Sequence, residues 1–144
     1  MKATYNSIIG AFRYFAIAHK QLHSFYCGRL VEFQPKPNIY PAMIIVPQPS
    51  VVGYNSTALT FNCIIMDIVN RDSSNLDEIH SDCLLIMADF MKYLETYSQN
   101  DYLNFRITET DVAIEPFFEE IDDICAGWTA TFTVQYSHLG DCIM

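Results

Sequence analysis

From Thr4 to about Tyr26 apolar residues recur as Tyr5, Ile8, Ile9, Phe12, Phe15, Ala16, His19, Leu22, His23 and Tyr26, the three-and-four spacing of one helix face. Gly28 supplies a stop for that helix, and Pro35, Pro37 and Pro41 make an extended connector behind it. Met43 to Val46 is a short apolar run closed by Pro47, and the flanking prolines put this strand near a sheet edge. Val51 to Tyr54 then leads through Asn55-Ser56 into Ala58 to Val69, a long strand reached by a hairpin-like turn. A second helix follows. Ser73, Ser74 or Asn75 caps it, and Asp77 and Glu78 put negative charge on its first turn, where the backbone dipole favours it. Its apolar stripe is Leu76, Ile79, Cys83, Leu84, Met87, Phe90, Met91 and Leu94, with Asp82, Asp89, Lys92 and Glu95 on the wet side. Leu103, Phe105 and Ile107 alternate as a strand, Thr108 to Thr110 turn, and Val112 and Ile114 alternate back. In the last strand Ile124, Ala126, Trp128, Ala130, Phe132, Val134 and Tyr136 face one way, and Cys125, Gly127, Thr129, Thr131, Thr133 and Gln135 the other. No linker or repeat divides residues 1–144, so the pattern predicts one α+β domain: two helices packed on one face of a mostly antiparallel β-sheet.

Composition sharpens this picture in one respect. Of the 144 residues 51% are hydrophobic and only 17% charged, which excludes disorder and leaves a surface poor in charge, as in a chain that buries surface against a partner. The net charge of −9 argues against gripping nucleic acid through its phosphates. That charge is unevenly spread. Up to Lys36 the cations Lys2, Arg13, Lys20, Arg29 and Lys36 stand against Glu32 alone, whereas the rest of the chain is strongly acidic. Either the two parts neutralise each other within the fold, or a basic face of one copy meets an acidic face of the next, the head-to-tail contact that closes into a ring.

The residues offer little for catalysis. There is no nucleophile elbow, phosphate loop, H-E-x-x-H or EF-hand loop. His19 and His23 share a helix face at i, i+4, but Lys20 stands where a zincin would have Glu, and no third ligand is suggested. Glu115, Glu119, Glu120, Asp122 and Asp123 crowd one loop, where paired carboxylates would do acid-base work or hold a cation, or would form a solvated connector. Asp67 interrupts an apolar strand and needs a partner if buried: backbone donors, or an Arg such as Arg71 or Arg106. The five cysteines include no C-x-x-C pair, and Cys63 and Cys83 fall on apolar positions, which points to a reducing compartment. Lys2 and Ala16-Ile17-Ala18 imitate a signal peptide, but Asn6, Gly10 and Arg13 break its apolar run. No window is apolar enough to span a membrane. The expectation is therefore a non-enzyme with no cofactor and no metal. Two other readings stay open: a cation-dependent hydrolase using the acidic loop with Asp67, and a small cytosolic adaptor protein.

Met66-Asp67-Ile68-Val69 closing a long strand, the capped helix, Glu115-Pro116-Phe117, an acidic spacer and Ala126-Gly127-Trp128-Thr129-Ala130-Thr131-Phe132 together resemble a group of small phage proteins from viruses of Bacteroidetes, including crAss-like phages. The resemblance runs from about Pro41 to Val134. The element order is similar to that of tail-terminator and tail-completion proteins, which form rings at the neck or the head-proximal end of the tail. What the resemblance implies is a virion protein, assembled in the bacterial host cytoplasm, that forms a homo-oligomeric ring of six or twelve copies. Such a ring joins the portal and other neck or tail proteins and lets genomic DNA pass without specific binding. On that reading Glu119, Glu120, Asp122 and Asp123 either face the DNA channel or meet Arg13, Lys20 or Arg29 of a neighbouring subunit, and the interface is the favoured use. Trp128 and Phe132 anchor the core, Trp128 beneath helix two, and Asp67 has a structural role.

Overall fold

The computed structural model describes residues 4–29, 40–69, 74–99, 105–109, 111–120 and 124–137. Helix α1, Tyr5–Ala18, starts at a reciprocal cap in which the Thr4 hydroxyl accepts from the Ser7 N–H and the Ser7 hydroxyl accepts from the Thr4 N–H. It ends well short of Tyr26, because His19 turns to extended backbone (φ −79°, ψ 123°). The residues expected to prolong the helix form a strand instead, β1, Ser24–Cys27. Phe25 and Cys27 pack into one apolar cluster and Tyr26 into another, a period of two that the three-and-four spacing had absorbed. β1 lies parallel to β2, Ala42–Pro47, and Gly28, expected as a helix stop, extends this ladder by donating its N–H to the Ile45 carbonyl.

The remaining elements are β3 (Val51–Val52), β4 (Ser56–Ile68), α2 (Leu76–Gln99), β5 (Arg106–Ile107), β6 (Ile114–Glu120) and β7 (Ile124–Ser137). The seven-stranded sheet is mixed but mostly antiparallel, in the order β1-β2-β4-β7-β5, so the fold is α+β. β4 and β7 are its spine, antiparallel from Ser56 opposite Ser137 to Ile68 opposite Cys125. Along the flank of β4 away from β7 sit β2 and β3; along the flank of β7 away from β4 sit β6 and β5. β5 and β6 therefore do not form the expected hairpin with each other. Each pairs with its own stretch of β7, and between them the Glu109 carboxylate accepts the Thr133 N–H at 3.0 Å. Leu103 lies outside the described residues.

Met43 and Ile45 of β2, Phe61, Cys63 and Ile65 of β4 and Ala126, Ala130, Phe132 and Val134 of β7 line one face, and they form one cluster with the buried residues of both helices. Phe12 of α1 is its hub. Its ring stands edge-on to those of Phe61, Phe90, Phe105 and Phe132 with centroids 5.4 to 6.0 Å apart, and each such pair adds about 0.5–1.5 kcal/mol beyond the area it buries. On α2 the buried stripe is Ile79, Cys83, Ile86, Met87, Phe90 and Leu94; Leu84, expected in it, is exposed.

The opposite face is divided. Around the C-terminal end of β4, Tyr40, Ala42, Ile44, Ile64, Met66 and Cys125 form a second buried cluster. Toward the other end a polar ladder crosses β4 and β7, with Thr60 bonded to Thr133, Thr131 to Asn62 and Gln135 to Ser56. Gly127 lies tight against β4: a Cβ there would sit 1.8 Å from the Ile65 carbonyl oxygen, so only glycine fits.

Candidate assembly surfaces

Across the sheet the register fixes which residues stand level. Ser24 of β1 is in row with Ala42, Met66, Gly127 and Phe117, and Val51 of β3 is in row with Ala58, Gln135 and Arg106. β1 and β6 thus occupy opposite edges at one level, and β3 and β5 opposite edges at the other.

Charge is unevenly divided between the two flanks, although exposed Lys92 of α2 and Arg106 of β5 stand among the acids. α1 packs beside β1, and the Arg13 guanidinium lies 5.4 Å from the centroid of the Phe25 ring. Arg13, Lys20 and Arg29 are all exposed, and Arg29 follows β1 directly in the chain. Exposed Asp77, Glu78, Asp82, Asp89 and Glu95 belong to α2, which packs on β7, β4 and β5. β6 adds Glu115, Glu119 and Glu120, opposite Thr129, Cys125 and Ile124 of β7. The expected acidic loop is thereby corrected: Glu115, Glu119 and Glu120 belong to a strand. Pro116, which donates nothing to a ladder, is tolerated because β6 is an edge strand. Asp122 and Asp123 lie outside the described residues.

Asp67 sits half-buried near the end of β4. One carboxylate oxygen accepts the Ile68 N–H at 2.7 Å, so the partner is a backbone donor. Arg106 stands at the opposite end of the sheet, level with Ala58, and Arg71 lies outside the described residues. Burial raises the Asp67 pKa and the neighbouring Asp82 adds to the rise, while the Ile68 N–H and His23 oppose it. The same surroundings push the Cys83 thiol up to about 12, burial first and the charges of Asp67 and Asp82 after it. Cys63 is fully buried, and its thiol is raised by burial.

The two histidines expected on one helix face are parted by the end of α1. His19 bridges the helices, its Nε2 2.9 Å from an Asp89 carboxylate oxygen while its Nδ1 accepts the Gln21 N–H. His23 instead donates its backbone N–H to the Pro41 carbonyl. Trp128 lies on the helix-facing side of β7, partly buried, and its indole N–H donates to the His80 carbonyl on α2 at 2.8 Å. Phe132 is fully buried in the core. Among the described residues no three His, Cys, Asp or Glu side chains gather as metal ligands. No described helix is long and apolar enough to cross a membrane.

Two apolar surfaces escaped the sequence reading. One is the β3 turn, where Val51, Val52 and Tyr54 are 69%, 78% and 103% exposed. The other is a groove of about 580 Å³ between α2 and the β5–β6 edge, floored by Leu84, Met87, Met91, Ile107, Val112 and Ile114 and rimmed by Glu95, Arg106, Glu109 and Asp111. One signal was available: Cys83 to Met87 are five consecutive apolar residues, wider than one buried stripe needs, so some of them must face outward. No protein-family model matches the chain, and no curated protein matches it.

Proposed function

We propose that this chain is a structural subunit that joins copies of itself head to tail into a ring in the neck or tail of a tailed phage, linking portal to tail and allowing DNA to pass. The observation that carries the self-assembly is the separation of charge: exposed Arg13 stacks on Phe25 at the β1 edge and Arg29 follows that strand, while Glu115 lies on the opposite β6 edge in row with Tyr26, and Glu119 and Glu120 continue β6 beyond the level of β1. A contact between unlike edges is heterologous, and heterologous contacts close into rings when the rotation allows. The assignment to a phage neck or tail draws its support from the motif resemblance, and the acidic excess suits a lumen through which phosphate must slide.

Mass photometry of the purified protein at low and physiological salt, followed by negative-stain imaging, tests this reading. Rings of six or twelve copies that weaken as salt screens the edges support it. A monomer at every concentration and salt defeats it, and so does a virion whose neck and tail lack the protein.

A further inference from the structure

The β3 turn and the groove between α2 and the β5–β6 edge lie on opposite flanks of one sheet and at the same level, since Val51 is in row with Ala58, Gln135 and Arg106. From this juxtaposition we infer that the β3 turn of one copy seats in the groove of the next. The inference rests on the head-to-tail reading above and names the contact that makes it.

Three observations fit the two surfaces to each other. The turn carries no charge from Pro47 to Ser56, so seating it strips no ion of water, and Val51, Val52 and Tyr54 offer apolar area that the fold leaves in solvent. The groove has an apolar floor, and its volume of about 580 Å³ lies within the ~300–1,000 Å³ of pockets that take up a few bulky groups. The flanking charge has the right sign as well, because the edge carrying the turn also carries Arg13 and Arg29, while three acids, Glu95, Glu109 and Asp111, outnumber Arg106 on the groove rim. A displacement along the row that brings β3 to a neighbour's β5 also brings β1 toward that neighbour's β6, so the apolar and the charged contacts form together. Because turn and groove are different surfaces, each copy keeps one of each free for the next, and the contact propagates.

Two single substitutions at exposed positions test this. Val52→Arg spoils the turn, and Ala88→Arg, on the groove wall of α2, fills the groove with a residue that suits a helix. Each variant alone is expected to melt like the wild type and to remain a single chain where the wild type forms rings. Mixed in equal amounts, the two are expected to form a two-chain complex and nothing larger, since the intact turn of the Ala88→Arg chain meets the intact groove of the Val52→Arg chain. A misfolded variant gives no such complex, so its recovery separates lost contact from lost fold. Rings formed by either variant alone, or no two-chain species in the mixture by analytical ultracentrifugation at high micromolar concentration, overturn the inference and leave the ring reading standing. A wild type that never assembles overturns both.

Discussion

Phe12 and Tyr54 are both aromatic residues in apolar stretches, and the fold uses them in opposite ways. Phe12 is fully buried among four other phenylalanine rings on the helix-covered face, whereas Tyr54 and its neighbours Val51 and Val52 stand in solvent at the edge of the sheet. Hydropathy does not separate the two cases. Burial does: the interior apolar residues answer to the chain's own stability, and the exposed edge residues contribute little to it. Substitutions in the two regions should therefore act differently, the first by loss of the fold and the second, on the proposed ring contact, by loss of assembly alone.

The largest effect is expected at Gly127. Alanine there sets a methyl group against the Ile65 carbonyl, which belongs to backbone and cannot swing away, so β4 and β7 must part. A cost above about 4 kcal/mol is expected, seen as failure to fold or as a collapsed urea midpoint; a variant that melts near the wild type would mean the strands have room to spare. Phe12→Ala should cost about 3–5 kcal/mol, because the cavity it leaves is walled by rings on every side. Trp128→Phe keeps most of the packing and removes only the indole bond to the His80 carbonyl, for about 1 kcal/mol in the same denaturation series. At the edge, Val52→Arg should shift stability by less than about 0.5 kcal/mol. A large stability loss there would erase the contrast with Phe12.

Asp67→Asn gives the smallest effect and the one with a pH signature. The folded pKa of Asp67 lies above its ordinary value, chiefly from burial, so the folded state holds the proton more tightly than the unfolded chain. Stability is then full below the ordinary carboxylate pKa and declines as pH rises through the raised one. Asparagine keeps an oxygen for the Ile68 N–H and carries no charge to desolvate, so the variant should be slightly more stable than wild type at neutral pH and equal to it in acid. Paired thermal melts across that range check the sign, and a variant less stable at neutral pH would show that the charged form is the one the fold favours.

Much of the scaffold was legible in the residues because its signals are periodic and redundant. The alternation of β7 and the length of β4 survive one or two ambiguous positions, and the α+β class follows from them. The misreadings share one cause, a local pattern that only pairing with a distant strand resolves. Residues 24–27 satisfy the helical spacing that runs into them, and only the pairing of Ser24 with Ala42 and Cys27 with Ile45 makes them a strand. Glu119 and Glu120 look like a solvated connector until β7 supplies Cys125 and Ile124 as their partners across the ladder. The candidate assembly surfaces were harder still. The basic and acidic flanks were visible as a bias along the chain, but their opposition across the sheet depends on strand order, which pairs residues distant in sequence.

That distance has a kinetic side. The two spine strands join residues distant in sequence, such as Thr60 and Thr133, which are 73 positions apart and share a hydroxyl contact across the ladder. Closing so long a loop forfeits chain entropy before any contact repays it, so the search for this register should set the folding rate. During synthesis β4 emerges long before β7 and waits with one edge unfilled. On that bare strand the unpaired N–H and C=O groups are left to water in the interval, and Thr60 and Asn62, which later hold the ladder together, keep that stretch of its face polar.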